Sequence, residues 1–234
     1  MAVHPGRRRT VGRIRTAIGA LAVALVAGAA VAVPAAPAEA AGGKVDKGGK
    51  VVYLTFDDGP SPTYTPRILG ILARYGVRAT FFEIGQNVAA HPALTGQVAR
   101  AGHSVQNHSW SHPDLRRLSA SAVNAQVTNT DKAIRARTGR TPSCLRPPYG
   151  AVDGAVRSRA AALGKQVVLW SVDPTDWSRP GTAAIQSRVL KAVRPGSVIL
   201  LHDGGGDRSQ TAAALPAILA TLKARGYTFG TLCG

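Results

Sequence analysis

The chain has 234 residues, 45% of them apolar and 18% charged, which supplies a full-sized core and excludes the disordered class. The formal net charge is +17, but the basic residues are scattered and aromatic residues make up only 5% of the chain, which argues against a nucleic-acid partner. A single domain is the default at this length.

In chain order, Arg7, Arg8, Arg9, Arg13 and Arg15 precede an uncharged apolar run from Ala17 to Val33 that Pro34 ends. Ala38, Glu39 and Ala40 then give a small-x-small cleavage pattern, so residues 1–40 read as a signal peptide, with an uncleaved membrane anchor as the alternative. The Arg8, Arg9 pair also permits twin-arginine export. Membrane contact is then confined to export, and the mature protein is secreted or held at the cell wall. Those forty residues carry five Arg and one Glu, so without them the charge falls to +13, enough to draw the protein toward anionic walls or polyanionic glycans. Residues 41–50 hold four Gly and three Lys without apolar periodicity and read as a flexible leader.

The folded domain is expected over residues 51–234, as a monomer. Apolar runs at Val51 to Phe56, Ala79 to Ile84, His103 to Asn107, Gln166 to Val172, Ser197 to His202 and Tyr227 to Leu232 predict strands. Between them Thr65 to Tyr75, Ala93 to Ala101, Ser119 to Thr138, Val152 to Leu163, Thr182 to Val193 and Gln210 to Arg225 predict helices. Gly76, Gly102, Gly139, Gly164, Gly196 and Gly226 follow them as C-terminal stops, and Ser119 and Thr182 stand where N-caps fall. Alternation of this kind predicts an α/β fold with a parallel sheet, open or closed into a barrel.

The polar residues of interest come directly after strands, where parallel α/β folds place their active sites. Asp57 and Asp58 are adjacent carboxylates that need a cation or a shared proton nearby. His108 and His112, four apart, would share one face of a helical turn and, with a carboxylate, form an open three-ligand metal site. That donor set suits zinc first, with cobalt, nickel or iron as alternatives. Arg146, Pro147, Pro148, Tyr149 and Gly150 make a rigid turn with a guanidinium and one amide as its polar groups. Asp173, Pro174, Thr175, Asp176 and Trp177 follow the fourth predicted strand, and His202, at the end of the fifth, suits proton donation near neutral pH. Cys144 and Cys233 are the only cysteines; an oxidising exterior lets them pair, and two buried free thiols are the alternative.

Taken together, Thr55 to Gly59, His108 to His112, Arg146 to Gly150, Asp173 to Trp177 and Leu200 to His202 resemble, in this order, the motifs of the polysaccharide deacetylase family, also known as the NodB homology domain or carbohydrate esterase family four. The resemblance implies a distorted (β/α) barrel with its groove at the C-terminal ends of the strands. It implies Asp57 as general base, Asp58, His108 and His112 as ligands of one divalent metal ion, and His202 as general acid. It further implies that Arg146 orients Asp57, Asp176 tunes His202, the Tyr149 amide holds an oxyanion, and Pro148, Trp177 and Leu200 line the acetyl pocket. The expected activity is hydrolysis of N-acetyl groups on a GlcNAc-containing glycan. The alternatives are an acetyl xylan esterase and a non-catalytic glycan-binding module. A zincin-like protease is disfavoured, because Ser109 stands where that motif needs Glu.

Overall fold

The computed structural model describes residues 1–2 and 49–234, so the expected signal peptide and nearly all of the leader lie outside the described residues. Strand β1 (Lys50–Asp57) is the spine of the fold. Its alternate residues serve two cores, as a strand buried on both faces must. Val52, Leu54 and Phe56 face the larger cluster, which contains helical residues such as Ile68 and Leu215. Tyr53 joins the smaller cluster, with Phe82, Val168, Val198 and Leu232.

The other strands are β2 (Thr80–Glu83), β3 (Ser104–Asn107), β4 (Cys144–Leu145), β5 (Gln166–Val167), β6 (Val198–His202) and β7 (Tyr227–Gly230). All ladders are parallel, in the order β5-β4-β3-β2-β1-β6, with β7 pairing the first half of β1. Helices α1 (Thr65–Arg74), α2 (Gly85–Ala90), α3 (Pro92–Arg100), α4 (Ala120–Thr138), α5 (Gly154–Ala162), α6 (Thr182–Ala192) and α7 (Ser209–Ala224) carry the crossovers. The sheet curls into the expected barrel-like form. Among the described residues its two edges meet at an isolated bridge between Val172 and Ile199, supported by Ser171 N–H and Val172 N–H to Val198 O (3.0 and 3.1 Å) and Leu200 N–H to Val172 O (2.9 Å).

The departures from expectation have local causes. The strand expected over residues 166–172 stops at Val167, because the carbonyls of Val168 and Leu169 accept hydrogen bonds from the Arg146 side chain at 3.3 and 3.0 Å. The short strand β4 and the one-and-a-half-turn helix α2 carry too little periodicity to be read. Ser119 caps α4 as expected, accepting from Ala122 N–H at 3.3 Å, but the N-cap of α6 is Gly181 and not Thr182. Gly139 closes α4 in the left-handed region that a Cβ disfavours. Cys144 and Cys233 are joined in a disulfide across 89 residues, which resolves the choice the spacing left open.

Candidate active site

Asp57 ends β1 and stands in register with His202, the last residue of β6, so two neighbouring strands deliver the expected base and acid to one edge of the barrel. Asp57 Oδ1 accepts from Arg146 Nη1 at 2.7 Å, and the same nitrogen bonds Thr55 Oγ1 at 2.7 Å. Arg146 is fully buried, with its guanidinium 4.1 Å from the centre of the Phe82 ring. A buried guanidinium is tolerated when every face finds a partner, and this one has a carboxylate, a hydroxyl, two carbonyls and an aromatic ring. The arrangement fixes Asp57 and leaves Oδ2 free for chemistry.

His202 is held from behind. Its Nδ1 lies 2.7 Å from Asp176 Oδ1, its main-chain N–H donates to Asp176 Oδ2 at 2.9 Å, and Thr211 Oγ1 donates to the same oxygen at 2.7 Å. The carboxylate assigns the proton on Nδ1 and leaves Nε2 for the cavity. Burial works against a charge on this imidazole, but the hydrogen bond and charge of Asp176 outweigh it and raise the His202 pKa above the ordinary value.

Asp58, His108 and His112 converge, each offering one ligand atom, all within 4.8 Å of one another. Nε2 of His108 and of His112 stand 3.4 and 3.3 Å from Asp58 Oδ1, which is buried and has no hydrogen-bond partner. His108 Nδ1 lies 2.6 Å from the Arg146 carbonyl, so that nitrogen carries a proton and Nε2, facing Asp58, could give its lone pair to a cation bound between them. Such a cluster of acceptors fits a cation, and the carbonyl behind His108 is the orienting partner that metal-bound imidazoles ordinarily have. Burial opposes ionisation of Asp58, yet His108 above all, with His202 and His112, holds its pKa below the usual carboxylate range. Burial and the His108 charge lower His112, which favours the neutral imidazole a metal requires.

The two histidines do not meet on a helix, contrary to the spacing argument. Residues 108–112 form a loop, with Ser109 and His112 at φ of 66° and 59°. Asn107 and Gln126 shape it: Asn107 Oδ1 accepts from Ser109 N–H at 2.8 Å, and Gln126 Oε1 accepts from the N–H groups of Trp110 and Ser111 at 2.8 and 3.0 Å. Positive φ recurs at Asp58, Tyr149 and Thr175, so strained backbone concentrates around this site.

A cavity of about 390 Å³ opens over these groups. Tyr149, Trp177 and Leu200 line it, while Pro148, expected from the sequence to line the pocket with Trp177 and Leu200, is buried and is not among the lining residues. Trp170 and Asp173 also line it, and neither was assigned to the pocket from sequence. Trp170 packs over Gly150, where an added Cβ would meet its ring at 2.7 Å, a closeness no sequence pattern announces. Two buried carboxyls were missed as well. Burial pushes Asp203 up to about 7 despite its bond from Thr65, and Glu83 up to about 8 despite its bond from Thr95. The position of Asp203 directly after His202 was its only sequence signal.

Residues 44–168 match the family model described as polysaccharide deacetylase. The chain belongs to that family. Among members of the polysaccharide deacetylase family, a peptidoglycan-N-acetylglucosamine deacetylase of Bacillus cereus is 43% identical, covering 78% of this chain and 86% of its own. A chitooligosaccharide deacetylase of Bradyrhizobium is also 43% identical, over 77% of this chain and 88% of its own. The crystal structure of the Bc1960 peptidoglycan N-acetylglucosamine deacetylase superposes with a TM-score of 0.77 at 36% identity, covering 79% of this chain and 87% of that one. The family match ends before Asp176 and His202; the fold places His202 at the cavity, with the buried Asp176 behind it.

Proposed function

We propose that the protein is a secreted or wall-associated, monomeric hydrolase that removes N-acetyl groups from a GlcNAc-containing glycan of the peptidoglycan or chitin type. One observation carries the reading: a carboxylate fixed by Arg146 and an imidazole fixed by Asp176 share one cavity with the Asp58, His108 and His112 donor set. A binding module needs no such pair, and the relatives named above act on peptidoglycan and chitooligosaccharides.

When bound, a divalent ion at these three residues, zinc being the best match to the donors, supplies Lewis acidity that lowers the pKa of water toward ~7 and polarises the acetyl carbonyl. Asp57, its Oδ1 occupied by Arg146, takes the proton from the attacking water at Oδ2. The Tyr149 amide, held at positive φ beside the cavity, donates to the developing oxyanion. Trp177 and Leu200 exclude water around the acetyl methyl. His202 Nε2–H then protonates the leaving nitrogen, a step that an amide demands more than an ester does, because an amine anion does not leave.

Acetate release is to be measured in parallel from GlcNAc oligomers, peptidoglycan and acetylated xylan. Release from the first two is expected, with Asp57→Asn slowing it by about 10²- to 10⁴-fold. Release from xylan alone would replace the amidase reading with the esterase one. No release from any of them would leave a glycan-binding module.

A further inference from the structure

The parallel barrel separates charge between its two ends. All strands point one way, so the helices that lead back into the next strand, all but the short α2, return to the opposite, basal end and finish there. The last turns of α1, α3, α4, α5, α6 and α7 carry Arg74, Arg100, Arg137, Arg159, Lys191 and Lys223 respectively. Complementing helix dipoles accounts for bases in such turns. It does not account for Arg78 and Arg140, which lie outside any helix, in the connections leading into β2 and β4.

Among the described residues neither Arg78 nor Arg140 has an ion pair, and both line a basal cavity of about 410 Å³. His103 lines the same cavity from a site 8% exposed. Its Nδ1 accepts from the Ala79 N–H at 3.1 Å, so the other ring nitrogen carries the hydrogen and remains available. Burial and the Arg78 charge hold its pKa down to about 4, which keeps it a neutral donor. The acidic side chains of residues 49–234 lie at the strand ends around the catalytic cavity or in the segments leading from them into helices. The exception is Asp131, which reaches the base only through its 2.5 Å ion pair with Lys165.

We propose that the basal cavity formed by Arg78, Arg140 and His103, within this basic face, binds one phosphate group of a linear phosphate-backbone polyanion, docking the protein with its catalytic groove turned away from the polymer. Two unpaired guanidiniums and a neutral N–H make a donor set for a tetrahedral anion, and the surrounding bases extend the attraction along a chain of repeating charge. Nucleic acid and lipid surfaces fit less well. The most exposed large aromatics of the described fold, Tyr149 and Trp177, both lie at the catalytic end, and the base has only the half-buried Tyr75 and Tyr227 to set against bases or a bilayer.

The test is titration of the full chain with linear inorganic polyphosphate, duplex DNA and phosphatidylglycerol vesicles at low and high salt, comparing the native chain with Arg78→Gln/Arg140→Gln. Polyphosphate should bind most tightly, weaken with salt, and lose about tenfold in affinity in the double variant. Acetate release from neutral GlcNAc oligomers and the melting temperature should stay unchanged, which separates docking from catalysis and from misfolding. Equal polyphosphate affinity in the double variant, or tighter binding of DNA or vesicles by the native chain, would overturn the proposal. The binding readout does not depend on which glycan is deacetylated.

Discussion

Around the proposed base and acid, the fold uses one device with opposite signs. The buried Asp57 faces the guanidinium of Arg146, and the mostly buried His202 faces the carboxylate of Asp176. The second pair has a measurable consequence. Because Asp176 raises the His202 pKa, Asp176→Asn should lower it again. A general acid works only while protonated, so the alkaline limb of the kcat/KM profile should move toward lower pH in the variant, together with a fall in kcat. A profile that falls in height but keeps its limbs in place would leave Asp176 with only a packing role. Asp57, Asp58, His108, His112 and His202 were all legible in the sequence, because each is a chemically distinctive side chain directly after an apolar run. Trp170 was not, since it follows a strand that Arg146 cuts short from a distance in the chain.

Helix α4 contributes to the proposed metal site without reaching it. Its Gln126 accepts two N–H groups of the loop that carries His108 and His112, and Asn107 is tied to α4 through Val127 O at 2.9 Å and Asp131 Oδ1 at 2.8 Å. Gln126→Ala removes the clamp and leaves all three ligands in place. Its affinity for zinc, measured by competition with a chromogenic chelator, should fall by about 10- to 100-fold, the range for losing support behind a ligand. Unchanged affinity would mean that the positive φ values at Ser109 and His112 are held by other contacts. The element map was legible wherever an amphipathic stretch ended in Gly, as at α4 with Gly139. It failed where an element is too short to show a period, as at β4, or where tertiary hydrogen bonds override the pattern, as after Val167. The histidine spacing reads as one face of a helical turn, whereas the two rings come together here in a loop through two left-handed residues.

For the molecule as a whole, the disulfide ties β4 to the segment after β7 and closes 89 residues of chain. A crosslink of that span is worth roughly 4 kcal/mol through the entropy of the unfolded chain. Cys144→Ser/Cys233→Ser should therefore melt roughly ten degrees lower than the native protein, while the folded variant keeps its acetate release at room temperature. A melting temperature that does not change would place the constraint in the native packing of Leu232 and Gln106, where Gln106 Nε2 already donates to Cys233 O at 2.8 Å. The barrel seam at Val172 and Ile199 bears on selectivity of a different kind. Leu200, which lines the cavity, donates its N–H across that seam, and Trp170, on the other side, lines the same cavity. This part of the cavity wall is thus joined through a single bridge and not a continuous ladder, so room for a group larger than acetyl would depend on how far these two side chains can lean apart.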